Sequence, residues 1–395
     1  MDALGADGSG GAVPGAVLEI LATAARGPGA TEAARAMGPG RSLGLEIAGD
    51  EATLTTTADG VDVARGIDDV GLVVAMDREA FDDLVAEERS IFGLLYASRL
   101  AVTCGDFDRF AAWEPALQAL LYGRAVFDSS SALPDDVDVT RVWSIDDDPV
   151  AMAAALDLAG FLHLGAVFAP DEIAEMSEEA ERLRSAAVPG DRTSWWAGLE
   201  DGTEVCCRVT YMSQRSSTFA RLADDPRLAR IAALTGLDVR VAPDRNDGVS
   251  VVIKNPGAVS GLSDLPWHRD CGLGGHPRMC PGVLLGINLD RADAERGQLW
   301  FLPGSHRHAG PVGDPVAGGH RVVAIDAEPG DVTIHHQHAL HAAPPPVARS
   351  GSGRRAVYVG FEREELFRAV DAGRAYNDVL YTADGSVRNV AQVSA

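Results

Sequence analysis

Pro266-Trp-His-Arg-Asp-Cys271 is the stretch that decides how this chain is read. In an extended segment side chains alternate between faces with a period of two, so His268 and Asp270 project from the same face. One imidazole and one carboxylate then converge on a single point. A further histidine from a distant strand would complete a facial set of two histidines and one carboxylate, leaving the other positions of an Fe(II) ion open. His-x-Asp is common by chance, so the flanking sequence has to carry the rest.

Outward from this stretch, short β-like runs dominate: 205–212, 239–242, 249–253, 283–289, 299–302, 322–325, 332–335 and 356–361. Gly/Pro turns separate them, which predicts a sandwich or barrel, and a jelly roll of about eight strands fits the count. Upstream, Phe161-Leu-His-Leu-Gly-Ala-Val-Phe168 predicts a strand, and Pro170 opens a helix to about residue 186. For the missing ligand, His335, His336, His338 and His341 are all candidates. His335 and His336 would fall on opposite faces of one strand, with His338 in the bend that follows. Trp195-Trp196 is expected in a loop near the mouth of the pocket, with plain packing as the safer alternative.

Three further stretches stand in order after Trp267-His-Arg-Asp270. They are Gly297-Gln-Leu-Trp-Phe-Leu-Pro-Gly-Ser-His306, then Glu328-Pro-Gly-Asp-Val-Thr-Ile-His-His-Gln-His-Ala-Leu-His341, then Arg354-Arg-Ala-Val-Tyr358. The ordered combination, over about residues 150 to 365, resembles the phytanoyl-CoA dioxygenase family. The resemblance implies a double-stranded β-helix of the jelly-roll or cupin-like kind with flanking helices. It also implies Fe(II), 2-oxoglutarate as co-substrate and O2, with succinate and CO2 released as an unactivated C–H bond is oxidised, most simply hydroxylated. It places the distal ligand at His341, giving a metal and catalytic set of His268, Asp270 and His341. Arg354 is implied as the co-substrate anchor, a role for which a planar, permanently charged fork suits a carboxylate. Asn288 and Arg208 are further expected co-substrate contacts. Two departures loosen the match: the gap from His341 to Arg354 is longer than usual, and Ala343 stands where a serine is common. Gly286 occupies a position that is often aromatic, which would enlarge the pocket. Lys254 lies one residue before the position where relatives often carry a lysine, so alternation is expected to turn it outward. Asp270 argues against halogenation, where a small residue replaces the carboxylate.

The N-terminal part reads differently. Residues 1–14 are rich in Gly, Ala and Ser and are expected to be disordered. A helix is expected over 17–25, a strand-turn-strand over 43–57, a strand at 71–76, a helix at 78–86 capped by Asp77, and another at 91–98. A strand at 100–104 and one helix at 107–121 complete the unit. This order, with Asp77-Arg-Glu-Ala-Phe-Asp-Asp-Leu84 and Leu100-Ala-Val-Thr-Cys-Gly-Asp106, resembles the sterol-carrier-protein-like fold. The resemblance implies a small α/β domain with an apolar tunnel; a docking or dimerisation module is the plainer alternative. The chain is thus expected to be α+β with two domains, 15–127 and 150–395, joined by a polar, Pro-containing linker at 128–149.

Composition narrows the partners. With 34 basic against 58 acidic residues, net −24 over 395 residues, nucleic acid and anionic membranes are disfavoured. The five cysteines, Cys104, Cys206, Cys207, Cys271 and Cys280, form no Cys-x-x-Cys pair, which points to a reducing cytoplasm. No apolar run reaches the roughly 18 residues of a membrane span, and the apolar stretch at 16–25 lacks the basic flank of a signal peptide. The expected partner is a small organic substrate, lipophilic or carrier-presented, in a role that suits secondary metabolism; the oligomeric state is not legible. Two other classes compete: a lipid- or acyl-binding protein with an inactive β-helix, and a metal-dependent hydrolase on a cupin-like barrel.

Overall fold

The computed structural model describes residues 16–128, 133–134, 137–259, 265–270, 282–311, 313–348, 350–351, 353–369 and 372–373. The segment 1–14, Cys271 and Cys280 lie outside them. The first lobe is a five-stranded sheet made of β1 (Ser42–Ile47), β2 (Asp50–Thr56), β3 (Val61–Arg65), β4 (Val73–Met76) and β5 (Leu100–Cys104). Its order is β3-β2-β1-β4-β5, antiparallel except for the central β1–β4 pair. Asp77 caps the helix Arg78–Val85 by accepting from the Ala80 N–H at 2.6 Å, as its sequence position predicts.

Two features depart from expectation. The helical stretch at 107–121 is two helices, Phe107–Ala111 and Glu114–Tyr122, with Pro115 in the first turn of the second. The helix Gly29–Met37 was not expected, although Ala30, Ala33, Ala34 and Met37 stand at helical spacing and the three alanines are buried. Those small residues allow a very close approach. A Cβ built on Gly29 would lie 1.9 Å from the Ala119 carbonyl oxygen, so only glycine fits there.

The second lobe holds two facing sheets. The larger is nine-stranded: β6 (Val142–Trp143), β7 (Phe161–Leu164), β16 (Val332–His336), β13 (Val283–Asn288), β18 (Arg354–Glu362), β11 (Ser250–Lys254), β9 (Glu204–Val209) and β8 (Ser194–Gly198) in that order, with β10 (Arg240–Val241) also on β18. The smaller runs β12 (Leu265–His268), β17 (His341–Ala343), β14 (Trp300–Phe301) and β15 (Val323–Ala324). This is the two-sheet, helix-flanked arrangement that a jelly roll requires. Trp195 and Trp196 lie in β8 at the sheet edge, not in a loop; pairing with β9 is what holds them extended.

Strand alternation sorts the large sheet into two faces. Val283, Leu285, Ile287, Val332, Ile334, Val357 and Val359 pack against Leu156, Met176, Leu228 and Ile231 of the helices Pro149–Ala159, Pro170–Ser185 and Pro226–Ala232. The opposite face carries the registered neighbours Lys254/Arg354, Asn288/Ala356, Thr333/Gly286/Tyr358 and Phe161/His335/Leu284. It looks onto the small sheet, as the stacked rings of Phe161 and Phe301, 4.4 Å apart, make plain.

The lobes meet along a short main-chain seam. Val126 bridges Ala309 in parallel, Phe127 N–H donates to the Ala309 carbonyl, and Ala309 N–H donates to that of Ala125, both at 3.0 Å. Ala309 is fully buried within the core of the first lobe.

Candidate metal centre

β12 ends on His268 and β17 begins on His341, and the two residues are antiparallel partners with ring centroids 4.2 Å apart. Asp270 follows two residues later and sets Oδ1 3.7 Å from the Nε2 of each histidine. Those separations are too long for hydrogen bonds. They are short enough for one ion to touch all three residues, whose ligand atoms lie within 4.8 Å of one another. Exposure falls from 31% for the His268 side chain to 22% for Asp270 and 5% for His341, so the cluster opens on the His268 side.

Backbone carbonyls orient both rings. His268 Nδ1 lies 2.7 Å from the Pro266 carbonyl and His341 Nδ1 lies 3.0 Å from that of Ala339. A carbonyl only accepts, so each Nδ1 carries the proton and each Nε2 keeps its lone pair toward Asp270. Burial, aided by the neighbouring His341, pulls His268 down to about 4, and burial lowers His341 as well. Burial would raise the Asp270 carboxyl, but His341 and the hydrogen bond from His335 outweigh it and hold Asp270 below the usual carboxylate range. The result is two neutral imidazoles and one carboxylate, the donor set of a facial non-haem iron site. His335 Nε2 stands 3.1 Å from Asp270 Oδ2 and steadies the carboxylate from behind.

On the inward face of the large sheet, Arg354 is buried to 2% exposure. Its Nε has no partner, and no hydrogen bond or ion pair among the described residues reaches the guanidinium. Thr333 Oγ1 and His335 Nδ1 are also buried without a partner. A buried cation without a partner is costly unless something anionic joins it. Lys254 was expected to face outward and does not. It is fully buried, pairs directly with Arg354 across the strands, and donates from Nζ to the Ala343 carbonyl at 2.5 Å. The reason is that Val251 and Ile253 face the helices, which sends Lys254 inward.

The remaining expected contacts have partners inside the protein. Asn288, offered as a co-substrate amide, donates from Nδ2 to the Asp331 carbonyl at 3.3 Å. Arg208, on β9, pairs with Asp247 at 2.9 Å. Space beside Gly286 is taken from the neighbouring strands: an added Cβ would meet Thr333 Oγ1 at 2.9 Å and the Tyr358 ring at 3.0 Å.

Sequence reasoning missed the frame that holds the ligands. Three successive carbonyls of the turn after β16 each grip the site. Gln337 accepts from the Asp270 N–H at 3.0 Å, His338 from Arg269 Nε at 2.9 Å, and Ala339 from His341 Nδ1 at 3.0 Å. Arg269 also donates from Nη2 to the carbonyls of Ser305 (3.3 Å) and His308 (3.0 Å). The clue was available: a residue between two same-face ligands must point the other way.

Residues 156–356 match the family model described as Phytanoyl-CoA dioxygenase (PhyH). The ectoine dioxygenase of Streptomyces coelicolor (strain ATCC BAA-471 / A3(2) / M145) is 31% identical over 176 residues, 42% of this chain and 55% of the relative. The chain thus spans about half the length of that curated relative. Among solved structures, AviO1 from Streptomyces viridochromogenes Tue57 is 28% identical, with 55% of this chain and 96% of that one covered and a TM-score of 0.45. EctD from S. alaskensis with 2-oxoglutarate and 5-hydroxyectoine is 24% identical, with 58% and 82% covered and a TM-score of 0.45.

Proposed function

The chain belongs to the phytanoyl-CoA dioxygenase family, and on that premise we propose that it is an Fe(II)/2-oxoglutarate-dependent dioxygenase. The observation that carries this reading is a two-histidine, one-carboxylate set, its Nε2 atoms pre-oriented, inside a barrel that also buries Arg354, whose guanidinium meets no partner among the described residues. His268, Asp270 and His341 hold the iron. Arg354 receives the far carboxylate of 2-oxoglutarate, and the charge of Lys254, its partner across the strands, favours an anion in the same space. When bound, the iron, 2-oxoglutarate and O2 supply the oxidising chemistry, with succinate and CO2 as co-products. The chain's own task is to orient these groups and exclude water. The Phe161–Phe301 stack and His335 close the inner side of the ligand cluster. Hydroxylation of an unactivated C–H bond in a small organic substrate, lipophilic or carrier-presented, is the reaction we assign. A metal-dependent hydrolase would leave Arg354 without a task.

Anaerobic addition of Fe(II) and 2-oxoglutarate tests the site. A visible metal-to-ligand charge-transfer band is expected in the native chain, with succinate formed on admitting O2, and no band in His268→Ala. Absence of the band from the native chain would sink the oxygenase reading.

We also retain two domains, 15–127 and 150–395, with a sterol-carrier-like N-terminal unit. The five-stranded sheet and its separate core support this. Saturable binding of a fluorescent fatty acid by the full chain is expected; its absence leaves the lobe a structural role only.

A further inference from the structure

One side chain of the first lobe touches the turn beside the metal centre directly. Arg124, just beyond the helix Glu114–Tyr122, pairs with Glu87 at 2.6 Å and sets Nη1 2.8 Å from His338 Nε2. Both members of the Arg124–Glu87 pair are largely buried, at 13% and 11% side-chain exposure, so the contact is screened little by solvent. His338 is the middle residue of the turn whose three carbonyls hold Asp270, Arg269 and His341. A second grip lies on the far side of Arg269. Its Nη2 binds the carbonyls of Ser305 and His308, and the next residue, Ala309, forms the main-chain seam with Val126. The Phe127 ring packs edge-on against His308 at 5.9 Å. The segment between the metal ligands is therefore held at both ends by pieces that the first lobe holds in turn.

We propose that the first lobe is a positioning element for the metal centre, with Arg124 as its positioning residue. It fixes the 337–339 turn through His338, and with it the three donors. This goes beyond a carrier or docking role for that lobe, and it rests on reading His268, Asp270 and His341 as metal ligands. Changes behind a ligand set ordinarily weaken metal affinity by about 10- to 100-fold.

The test is anaerobic titration of the full chain with Co(II), followed by the visible cobalt band and by apo-protein melting. Arg124→Gln is expected to bind Co(II) at least about tenfold more weakly, with an altered band. Arg124→Lys, which keeps charge and a donor, should recover most of the affinity. Native affinity and an unchanged band in Arg124→Gln overturn the proposal, even if the melting temperature falls, because that pattern is mere interlobe adhesion. Should Arg124→Gln fail to fold, His338→Gln leaves the Arg124–Glu87 pair in place and is read by the same two outcomes. A native chain that takes up no Co(II) overturns the ligand reading itself, and that failure is visible without any variant.

Discussion

Arg354 and Lys254 sit side by side on the inward face, and the difference between them lies in their partners. Lys254 has the Ala343 carbonyl, whereas the Arg354 guanidinium meets no acceptor among the described residues. An uncompensated buried charge destabilises the empty protein, while a charge-assisted hydrogen bond to a ligand is worth about 1.5–3 kcal/mol. Arg354→Met should therefore act in opposite directions on fold and ligand. Its apo melting midpoint is expected at or above native, while 2-oxoglutarate binds about 10- to 100-fold more weakly with Co(II) affinity intact. Melting curves and a 2-oxoglutarate titration check both halves, and a clear fall in the apo midpoint would contradict the unpartnered-cation account. At this scale the sequence was informative where alternation had a definite phase, as for His268 and Asp270. It misled at Lys254 because the phase was taken from the position at which relatives carry a lysine, one residue later, whereas Val251 and Ile253 pack on the helices and set the phase of this strand.

β16 shows how one strand serves two layers. His335 turns inward to Asp270, while His336 turns toward the helices and stacks on His306, ring centroids 5.0 Å apart and planes nearly parallel. Gly160 ends the helix Pro149–Ala159 at φ +86°, and a Cβ there would lie 2.5 Å from His306 Nδ1. Burial, then the neighbouring His336, lowers His306 to about 3; burial, then His335, lowers His336 to about 4. Both rings are thus neutral in the folded chain where the unfolded chain, near pH 6.5, begins to take up protons. Their stability contribution is complete above about pH 6.5 and declines as pH falls toward 4. Thermal midpoints measured across that window should drop with falling pH, and His336→Gln should lower the slope by about one proton. An unchanged slope would mean that His336 is protonated in the folded state. The elements legible beforehand were those with strong alternation or a cap, such as β1, β13 and the Asp77 helix. The two-residue strands β10, β14 and β15 also fall inside the runs read at 239–242, 299–302 and 322–325, whereas the helix Gly29–Met37 and the two-residue β6 went unread.

For the whole molecule, the change in pattern along the chain runs parallel to the change from one five-stranded sheet in the first lobe to two facing sheets in the second. The order of motifs singles out His268, Asp270 and His341, the same three residues that the fold brings together. The way the units lean on each other was not legible, since neither Arg124 nor Arg269 differs on paper from the other arginines of an arginine-rich chain. Only the three-dimensional path shows that one of them spans the lobes and the other lies between two donors.

The seam between Val126 and Ala309 has a consequence for how the chain is made. Ala309 completes the interior of a lobe whose other members nearly all precede residue 127. On the ribosome, that interior stays unfinished until a segment far downstream has emerged, a wait on the order of ten seconds at ordinary elongation rates. Through that interval the patch later covered by Ala309 faces solvent.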